Sequence, residues 1–174
     1  MTERNRFDYF IRKIASPDEP FLWEMLYQAI YVPDGSPPPR DIVNSPELGR
    51  YVRGWGHVDD AGLLAVDAEA RKPIGAAWLR LLTRDDAGYG YTDDETPELS
   101  MAVLPEYRGR GVGTVLLTSL LEETEAVYEA VSLSVSAGNP AMRLYVRAGF
   151  EVVGNTGTSL TMKRRRARPG RENP

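Results

Sequence analysis

The sequence predicts one α/β domain in which helices cover the faces of a mixed β-sheet. Alternating apolar residues indicate strands in the N-terminal half, and strand and helix patterns then alternate towards the C-terminus. Three glycines stand between one of these strands and the helix that follows it. The chain has 174 residues, which is enough for one well-packed domain and short for two.

The first part of the chain contains a strand, two helices and a proline-rich loop. Alternating aromatic and β-branched residues predict a strand over 7–14. Apolar residues on one helical face predict a helix over 17–32, and the prolines in 33–39 exclude regular structure there. A short helix over 45–54 follows, with a serine cap and Pro46 at its first position.

The middle of the chain supplies three strands. Those over 63–68 and 73–83 predict a hairpin, and residues 84–96 form a loop rich in Asp and Gly. Another strand covers 98–104 and ends at Pro105.

Beyond the glycines, helices and strands alternate. Apolar residues at helical spacing predict a helix that runs to about Tyr128. A strand over 131–136 and a helix over 140–148 follow, and strands over 151–153 and 159–163 complete the order.

The most informative stretch is 108–113, Arg-Gly-Arg-Gly-Val-Gly. Glycine packs poorly in a strand and costs about 1 kcal/mol relative to alanine in a helix, so a turn explains all three glycines. The first turn of a helix has unpaired amides and the positive end of the helix dipole, which together bind phosphate groups. The turn therefore predicts a ligand that carries phosphate.

Two known phosphate loops do not fit this turn, and a turn that binds nothing stays open. A nucleotide-triphosphate loop needs a lysine after its last glycine, and none precedes Thr114. The dinucleotide fingerprint needs its third glycine one residue later and an acid at the end of the next strand. The strand over 131–136 carries no acid.

Two segments resemble the GNAT superfamily of acetyl-CoA-dependent N-acetyltransferases. The family's signature Arg/Gln-x-x-Gly-x-Gly/Ala is matched by Arg108, Gly111 and Gly113. A second segment, from Asn139 to Phe150, is similar to the family's downstream segment with its Asn, Ala, Tyr and Gly-Phe. Two matches in the expected order are far more specific than the glycines alone.

The resemblance covers about residues 7–164. It implies a mixed, mostly antiparallel sheet of about six to seven strands, flanked by about four helices. The strand over 98–104 would splay from the next strand and admit the pantetheine of CoA, whose amides would pair with Met101, Ala102 and Val103. The amide of Met101 or Ala102 would also polarise the thioester carbonyl.

The resemblance assigns further cofactor contacts. The amides of the glycine turn would bind the CoA pyrophosphate, and the side chain of Arg108 or Arg110 would add charge. Asn139 reads equally well as a helix cap and as a CoA contact. The residues assigned to the cofactor are Met101, Ala102, Val103, Arg108, Gly109, Arg110, Gly111, Val112, Gly113, Thr114, Asn139 and Tyr145.

Two residues are candidates for proton transfer. The resemblance makes Tyr145 the general acid, and a phenol with a pKa near 10 suits the protonation of a leaving thiolate. Its alternative is a half-buried core aromatic. Glu98 matches a position where many relatives carry an acid, which would deprotonate the amine; its alternative is a solvated carboxylate. Ser100 would bind a water that relays the proton. We expect His57 to lie at the surface.

Composition limits the partners. With no cysteine and only one histidine, we expect neither a disulfide nor a metal site. The whole chain carries −4 and residues 163–174 carry +5, so residues 1–162 carry −9. An acidic body favours a cationic, amine-bearing substrate and disfavours nucleic acid. Residues 165–174 are expected to be a disordered basic tail.

The expected activity is acetyl transfer from acetyl-CoA to a primary amine by direct attack, because no cysteine can form an acetyl-enzyme. Loops 33–45 and 84–97 would shape the acceptor pocket. The alternative is a non-catalytic acyl-CoA-binding or sensing module of the same fold. No segment approaches the roughly 20 apolar residues of a membrane span, so we expect a cytoplasmic protein; a homodimer stays open.

Overall fold

The computed structural model describes residues 7–167, which form one seven-stranded sheet with helices on both faces. The strands are β1 (Tyr9–Lys13), β2 (Ala61–Asp67), β3 (Pro73–Arg80), β4 (Glu98–Val103), β5 (Ala130–Ser136), β6 (Glu151–Thr156) and β7 (Ser159–Arg165). The helices are α1 (Glu19–Gln28), α2 (Pro46–Gly49), α3 (Val112–Thr124) and α4 (Met142–Arg147). The strand order is β1-β2-β3-β4-β5-β7-β6. The predicted mixed, mostly antiparallel sheet is confirmed.

The sheet opens between β4 and β5, its one parallel pair in the described part of the chain. On its other side β4 is paired with β3 over six residues, from Glu98 to Val103. With β5 it shares a single pair, Glu98 with Ser132. The expected splay of this strand is therefore confirmed, and the gap widens towards the glycine turn.

Each face of the sheet has its own hydrophobic core. One core packs α3 and α4 against the sheet and includes Leu99, Val103 and Tyr145. The other packs α1 and the segment around Tyr51 against the opposite face and includes Ala102. Because side chains alternate along a strand, Glu98 and Ser100 of β4 share the face of Ala102.

The helices are shorter than the sequence predicted. α1 ends at Gln28, ahead of the β-branched residues that precede Pro33, and α2 is one turn long. α3 ends at Thr124, whose hydroxyl donates to the carbonyl of Leu120 at 2.7 Å. A 3₁₀ turn, Arg40–Asn44, occupies part of the loop predicted between the first two helices. These differences leave the order of the elements unchanged.

A buried ion pair fixes the segment that carries Tyr51. Arg80 contacts both carboxylate oxygens of Asp60, at 2.9 and 2.7 Å, and the two side chains are 7% and 3% exposed. Arg80 also donates to the carbonyls of Arg50 and Arg53. Burial opposes the ionisation of Asp60, but hydrogen bonds from Arg80 and from two backbone amides outweigh it and lower the carboxyl pKa.

We expect Asp60→Asn to lower the free energy of unfolding by about 3–5 kcal/mol, because it leaves the Arg80 charge buried without a partner. Urea unfolding at neutral pH measures this. The matched control, Asp59→Asn at an exposed position, should change stability by no more than about 0.5 kcal/mol. A folded-state pKa below the ordinary value means that the stabilisation by Asp60 is present above about pH 4 and is lost on further acidification. Equal stabilities of the two variants would contradict this role.

The basic C-terminal segment begins as part of the sheet. Arg165 is the last residue of β7, and the amide of Arg166 donates to the carbonyl of Glu129 at 2.8 Å. The first two residues assigned to the tail, Arg165 and Arg166, are therefore bonded to the sheet, and the part of the predicted tail from 168 to 174 lies outside the described residues. Within 7–167, no helix is long and apolar enough to span a bilayer.

Candidate active site

The glycine turn presents a row of free amides. Within residues 7–167, no protein acceptor is found for the six consecutive amides from Gly109 to Thr114. Gly109 and Gly111 have left-handed φ values of 73° and 84°, which favour glycine, and open space lies where their Cβ atoms would be. Gly113 already lies in the first turn of α3. The turn thus has the amide pattern and the room that an anionic group needs.

The two arginines of the turn contact protein groups. Arg108 donates from Nε to the carbonyl of Val103 at 2.9 Å and from Nη2 to Gln28 at 3.1 Å. Arg110 lies over the rings of Phe7 and Tyr107, with its guanidinium carbon 5.1 and 5.7 Å from the ring centroids. Arg108 therefore ties the turn to β4 and α1, and the amides, more than the side chains, are left for a ligand.

The free edge of β4 faces the gap in the sheet. The amide of Leu104, the residue after β4, donates to the carbonyl of Ile74 in β3 at 2.8 Å. Backbone groups point alternately to the two sides of an antiparallel strand. Ala102 therefore directs its amide and carbonyl towards β3, whereas Met101 and Val103 direct theirs towards the gap. The register favours Met101 over Ala102 as the residue whose amide can meet a ligand.

A cavity of about 250 Å³ lies at this gap. Its lining includes Glu98 from one face of the sheet and Tyr145 from the other. Its walls are formed by the following residues: Leu26, Ala29, Ile30, Tyr31, Leu48, Tyr51, Tyr89, Glu98, Leu99, Ser100, Met101, Ser134, Val135, Ser136, Asn139, Tyr145 and Ser159. Among these described residues, Glu98 is the one charged side chain.

Glu98 is buried, with 2% of its surface exposed, so the alternative of a solvated carboxylate is wrong. Its Oε1 accepts hydrogen bonds from the Tyr51 hydroxyl at 2.9 Å and the Gly90 amide at 2.7 Å. Its Oε2 accepts one from the Gly88 amide at 3.1 Å. Burial raises the pKa of Glu98, and these three donors only partly offset that rise.

Tyr51, Gly88 and Gly90 are site residues that the sequence did not identify. Tyr51 is buried and also lines the cavity. A Cβ on Gly88 would clash with Glu98 and Tyr51. A Cβ on Gly90 would lie 2.6 Å from the backbone of Leu133. Such close approaches require glycine, but the sequence shows only a glycine-containing loop.

Tyr145 lies on the opposite face from Glu98. It is 9% exposed, which is more buried than the half-buried alternative, and it packs edge to face on Phe150 with ring centroids 6.0 Å apart. Within residues 7–167 no protein group forms a hydrogen bond with its hydroxyl. The hydroxyl oxygen keeps some accessible surface, and Tyr145 lines the cavity. Burial raises the pKa of Tyr145 to about 12, so the phenol is protonated at neutral pH.

Asn139 lies at the same end of the cavity. Its Oδ1 accepts from the amide of Ala141 at 2.9 Å, and α4 begins at Met142, two residues later than predicted. The side chain thus caps the turn that precedes the helix, and it also lines the cavity. Both expected roles of Asn139 are compatible with this position.

Ser100 lines the cavity, whereas His57, Asp93 and Asp94 are not among its lining residues. His57 is exposed in the turn held by Asp60. Asp93 forms an ion pair with Lys163 at 2.7 Å, and Asp94 accepts from the amide of Arg84. Across residues 7–167, no cluster of three potential metal ligands is found.

The comparisons with known proteins decide the family. The model of the acetyltransferase (GNAT) family matches residues 12–150. The chain belongs to the GNAT acetyltransferase family. Both the glycine turn and the Asn139–Phe150 segment fall within or at the end of the matched region.

One curated relative and two solved structures illustrate the likeness to other GNAT proteins. An N-alpha-acetyltransferase of Sulfurisphaera tokodaii is 43% identical over 58 residues, which cover 32% of this chain and 35% of that protein. The match therefore spans about a third of the relative's length. The PaiA N-acetyltransferase of Thermoplasma acidophilum, solved in complex with coenzyme A, superposes with a TM-score of 0.65 at 21% identity, covering 91% of this chain and 99% of that one.

The second structure is a chimera of the spermidine N-acetyltransferase SpeG of Vibrio cholerae and hSSAT. It superposes with a TM-score of 0.60 at 17% identity and covers 91% of this chain and 95% of its own. At these identities the structural likeness establishes the GNAT fold.

Proposed function

We propose that this GNAT protein transfers an acetyl group from acetyl-CoA to a primary amine by direct attack in the gap between β4 and β5. The observation that carries the proposal is the cavity at this gap, whose lining includes a buried carboxylate, Glu98, from one face of the sheet and a buried phenol, Tyr145, from the other. A base and an acid on opposite sides of one opening suit a reaction in which one group arrives and another leaves.

The residues present fit acetyl-CoA. The free amides of 109–114 suit its pyrophosphate, and the backbone of Met101 suits the amides of its pantetheine arm. Acetyl-CoA supplies the acetyl group as an activated thioester. On this assignment it enters from the face of α3 and α4, and the amine enters from the face of α1 and α2.

Three groups then have separate tasks. Glu98 takes a proton from the ammonium, directly or through a water, so that the amine can form its bond to the acetyl carbon. The Met101 amide donates to the acetyl oxygen, on which negative charge develops. Tyr145 gives its proton to the sulfur as the carbon–sulfur bond breaks. The ammonium nitrogen loses two protons in becoming an amide, one to Glu98 before the attack and one as the carbon–sulfur bond breaks. The second replaces the proton that Tyr145 gave to the sulfur, and Glu98 releases the first to solvent, so the transfer yields the amide, the CoA thiol and one proton.

The acceptor is an amine on an otherwise uncharged molecule. With one carboxylate in the cavity wall, a single ammonium has a partner, but a second cationic group of a polyamine would have none within the described lining. The remaining wall is apolar or carries uncharged polar groups, from Leu26, Ile30, Ser100 and Asn139 among others. Monoamines and the α-amino group of a peptide both fit this description.

For the cofactor site we predict that Gly111→Asp lowers the affinity for acetyl-CoA by at least about tenfold, because a charge placed in the turn repels the pyrophosphate. Asp and Asn both tolerate the left-handed φ of Gly111 and have similar volumes. Gly111→Asn is therefore the matched control and should lose much less affinity. Calorimetric titration with acetyl-CoA measures both. Equal losses would attribute the effect to bulk alone and contradict an anion beside Gly111.

The proposed function is tested by release of the CoA thiol from acetyl-CoA across a panel of amines. The panel holds monoamines, short peptides with free N-termini, and spermidine. We expect turnover with members of the first two classes and less with spermidine. Tight binding of acetyl-CoA without turnover on any amine would favour the non-catalytic sensing module, and no binding would exclude both functions.

A further inference from the structure

Three donors converge on the Glu98 carboxylate. An ionised carboxylate offers about four lone-pair positions, two on each oxygen. Tyr51 and Gly90 occupy those of Oε1, and Gly88 occupies one of those on Oε2. One acceptor position is left, on Oε2, for a group in the cavity.

The hydroxyl of Tyr51 is itself fixed. It accepts from the amide of Tyr89 at 2.7 Å and donates to Glu98 at 2.9 Å, so its proton is directed at the carboxylate. Its backbone carbonyl accepts from Trp78 Nε1 at 2.9 Å, and the Arg80–Asp60 pair holds the neighbouring backbone. Tyr51 therefore cannot turn away from Glu98 without breaking several buried contacts.

The loop between β3 and β4 is fitted closely around this pair. Gly88 approaches Glu98 and Tyr51 so closely that any side chain would displace them, and Gly90 lies against the backbone of β5. A loop stabilised only by hydrogen bonds within itself would not require glycine at two such close contacts. Loop 84–97 therefore packs directly against the Glu98 carboxylate, and its amide donors favour the ionised form of that group.

We propose that Tyr51, together with the amides of Gly88 and Gly90, is the positioning system that keeps Glu98 ionised and leaves one lone pair of Oε2 for the acceptor amine. The proposal rests on the proposed function, since it assigns Glu98 as the base. Tyr51 acts through Glu98 and is a positioning residue. The carboxylate otherwise lies in a buried site, where the neutral form is favoured.

In the part of the chain that the structure describes, the titratable side chains that line the cavity with Glu98 are tyrosines, among them Tyr51 and Tyr89. Tyr51 hydrogen-bonds it, and the guanidinium of Arg50 favours its ionised form from a position beside Asp86. Arg80 is its cross-strand partner in β3, but its charge is paired with Asp60. Burial together with the nearby Glu98 carboxylate raises the pKa of Tyr51, which stays protonated and able to donate at neutral pH.

The test is the Tyr51→Phe variant, which keeps the ring and removes the donor. Carbon-13 NMR of protein labelled at the Glu carboxyl carbons gives the pKa of Glu98 directly, with its signal assigned by its absence in Glu98→Gln. We expect that pKa to rise by about one pH unit in Tyr51→Phe, because a hydrogen bond to the ionised form is lost. Tyr128→Phe is the control, since it removes a phenol that donates to the carbonyl of Asp59.

The second readout is the pH profile of kcat/KM for the monoamine that turns over fastest in the panel. In Tyr51→Phe the acidic limb should move to higher pH by the same amount, with the rate recovering to within a few-fold at alkaline pH. A rate that falls equally at every pH, with an unmoved limb, would mean a merely structural role and overturn the proposal. An unchanged Glu98 pKa would also overturn it, whatever the turnover.

The NMR readout separates this proposal from the proposed function. Suppose that the pKa of Glu98 rises in Tyr51→Phe but that the protein acetylates none of the amines. This result would support the role of Tyr51 in stabilising the ionised carboxylate and would contradict the assignment of Glu98 as a base. A raised pKa together with a shifted limb would support both.

Discussion

Glu98→Gln is expected to reduce acetyl transfer by about 100- to 10,000-fold, the usual contribution of a positioned acid or base. The glutamine oxygen can still accept from Tyr51 and Gly90, but its amide group faces the amide of Gly88, so one buried donor loses its acceptor. We therefore expect a loss of about 1–3 kcal/mol in stability and a folded protein with near-normal affinity for acetyl-CoA. Steady-state kinetics and calorimetry on the same sample measure the two effects.

The pH profile gives the sharper form of this prediction. A base must be ionised to act, so kcat/KM of the wild type should fall as the pH decreases through the pKa of Glu98. Because burial raises that pKa, the acidic limb should lie above the ordinary range for glutamate, about 4.3. Glu98→Gln should lose the limb. Glu95→Gln, an exposed change of the same charge in the same loop, should retain both the rate and the limb. A full rate in Glu98→Gln would exclude the base.

Tyr145→Phe is expected to reduce kcat by about 100-fold or more with little change in the affinity for acetyl-CoA. The ring, its packing on Phe150 and its burial are kept, and only the proton donor is removed. With a pKa of about 12, the phenol of the wild type stays protonated across the usable assay range, so no alkaline limb from this group is expected below about pH 11.

The control for Tyr145→Phe is again Tyr128→Phe, which removes a phenol that donates to the carbonyl of Asp59 and does not line the cavity. Rapid mixing distinguishes slower chemistry from slower product release. An unchanged kcat in Tyr145→Phe would remove the acid role and restore the interpretation of Tyr145 as a core aromatic.

The order of elements was predictable because each strand and helix carries its own periodicity. The glycine turn was predictable too, since a turn explains three glycines before Thr114 better than a strand or a helix does. The ends of the helices were less predictable. α1 and α3 end although the apolar pattern continues, because β-branched residues and tertiary contacts disfavour further helical turns there.

The carboxylate site was only half predictable. Glu98 could be proposed from a family resemblance, but its partner Tyr51 lies 47 residues away and is brought to it by α2 and the Arg80–Asp60 pair. The preference for Met101 over Ala102 depends on the register of β4 against β3, which no local pattern encodes. When a site is assembled from distant segments, the hydrophobic pattern of each segment gives little indication of the site.

The most direct test is mass spectrometry of the amine panel after incubation with acetyl-CoA carrying a labelled acetyl group. We predict that the label forms an amide on monoamines or peptide N-termini, that none stays on the protein, and that both Glu98→Gln and Tyr145→Phe suppress the product. Label retained on a protein side chain as an intermediate, or no labelled amine from a protein that binds acetyl-CoA, would contradict direct transfer across the gap between β4 and β5.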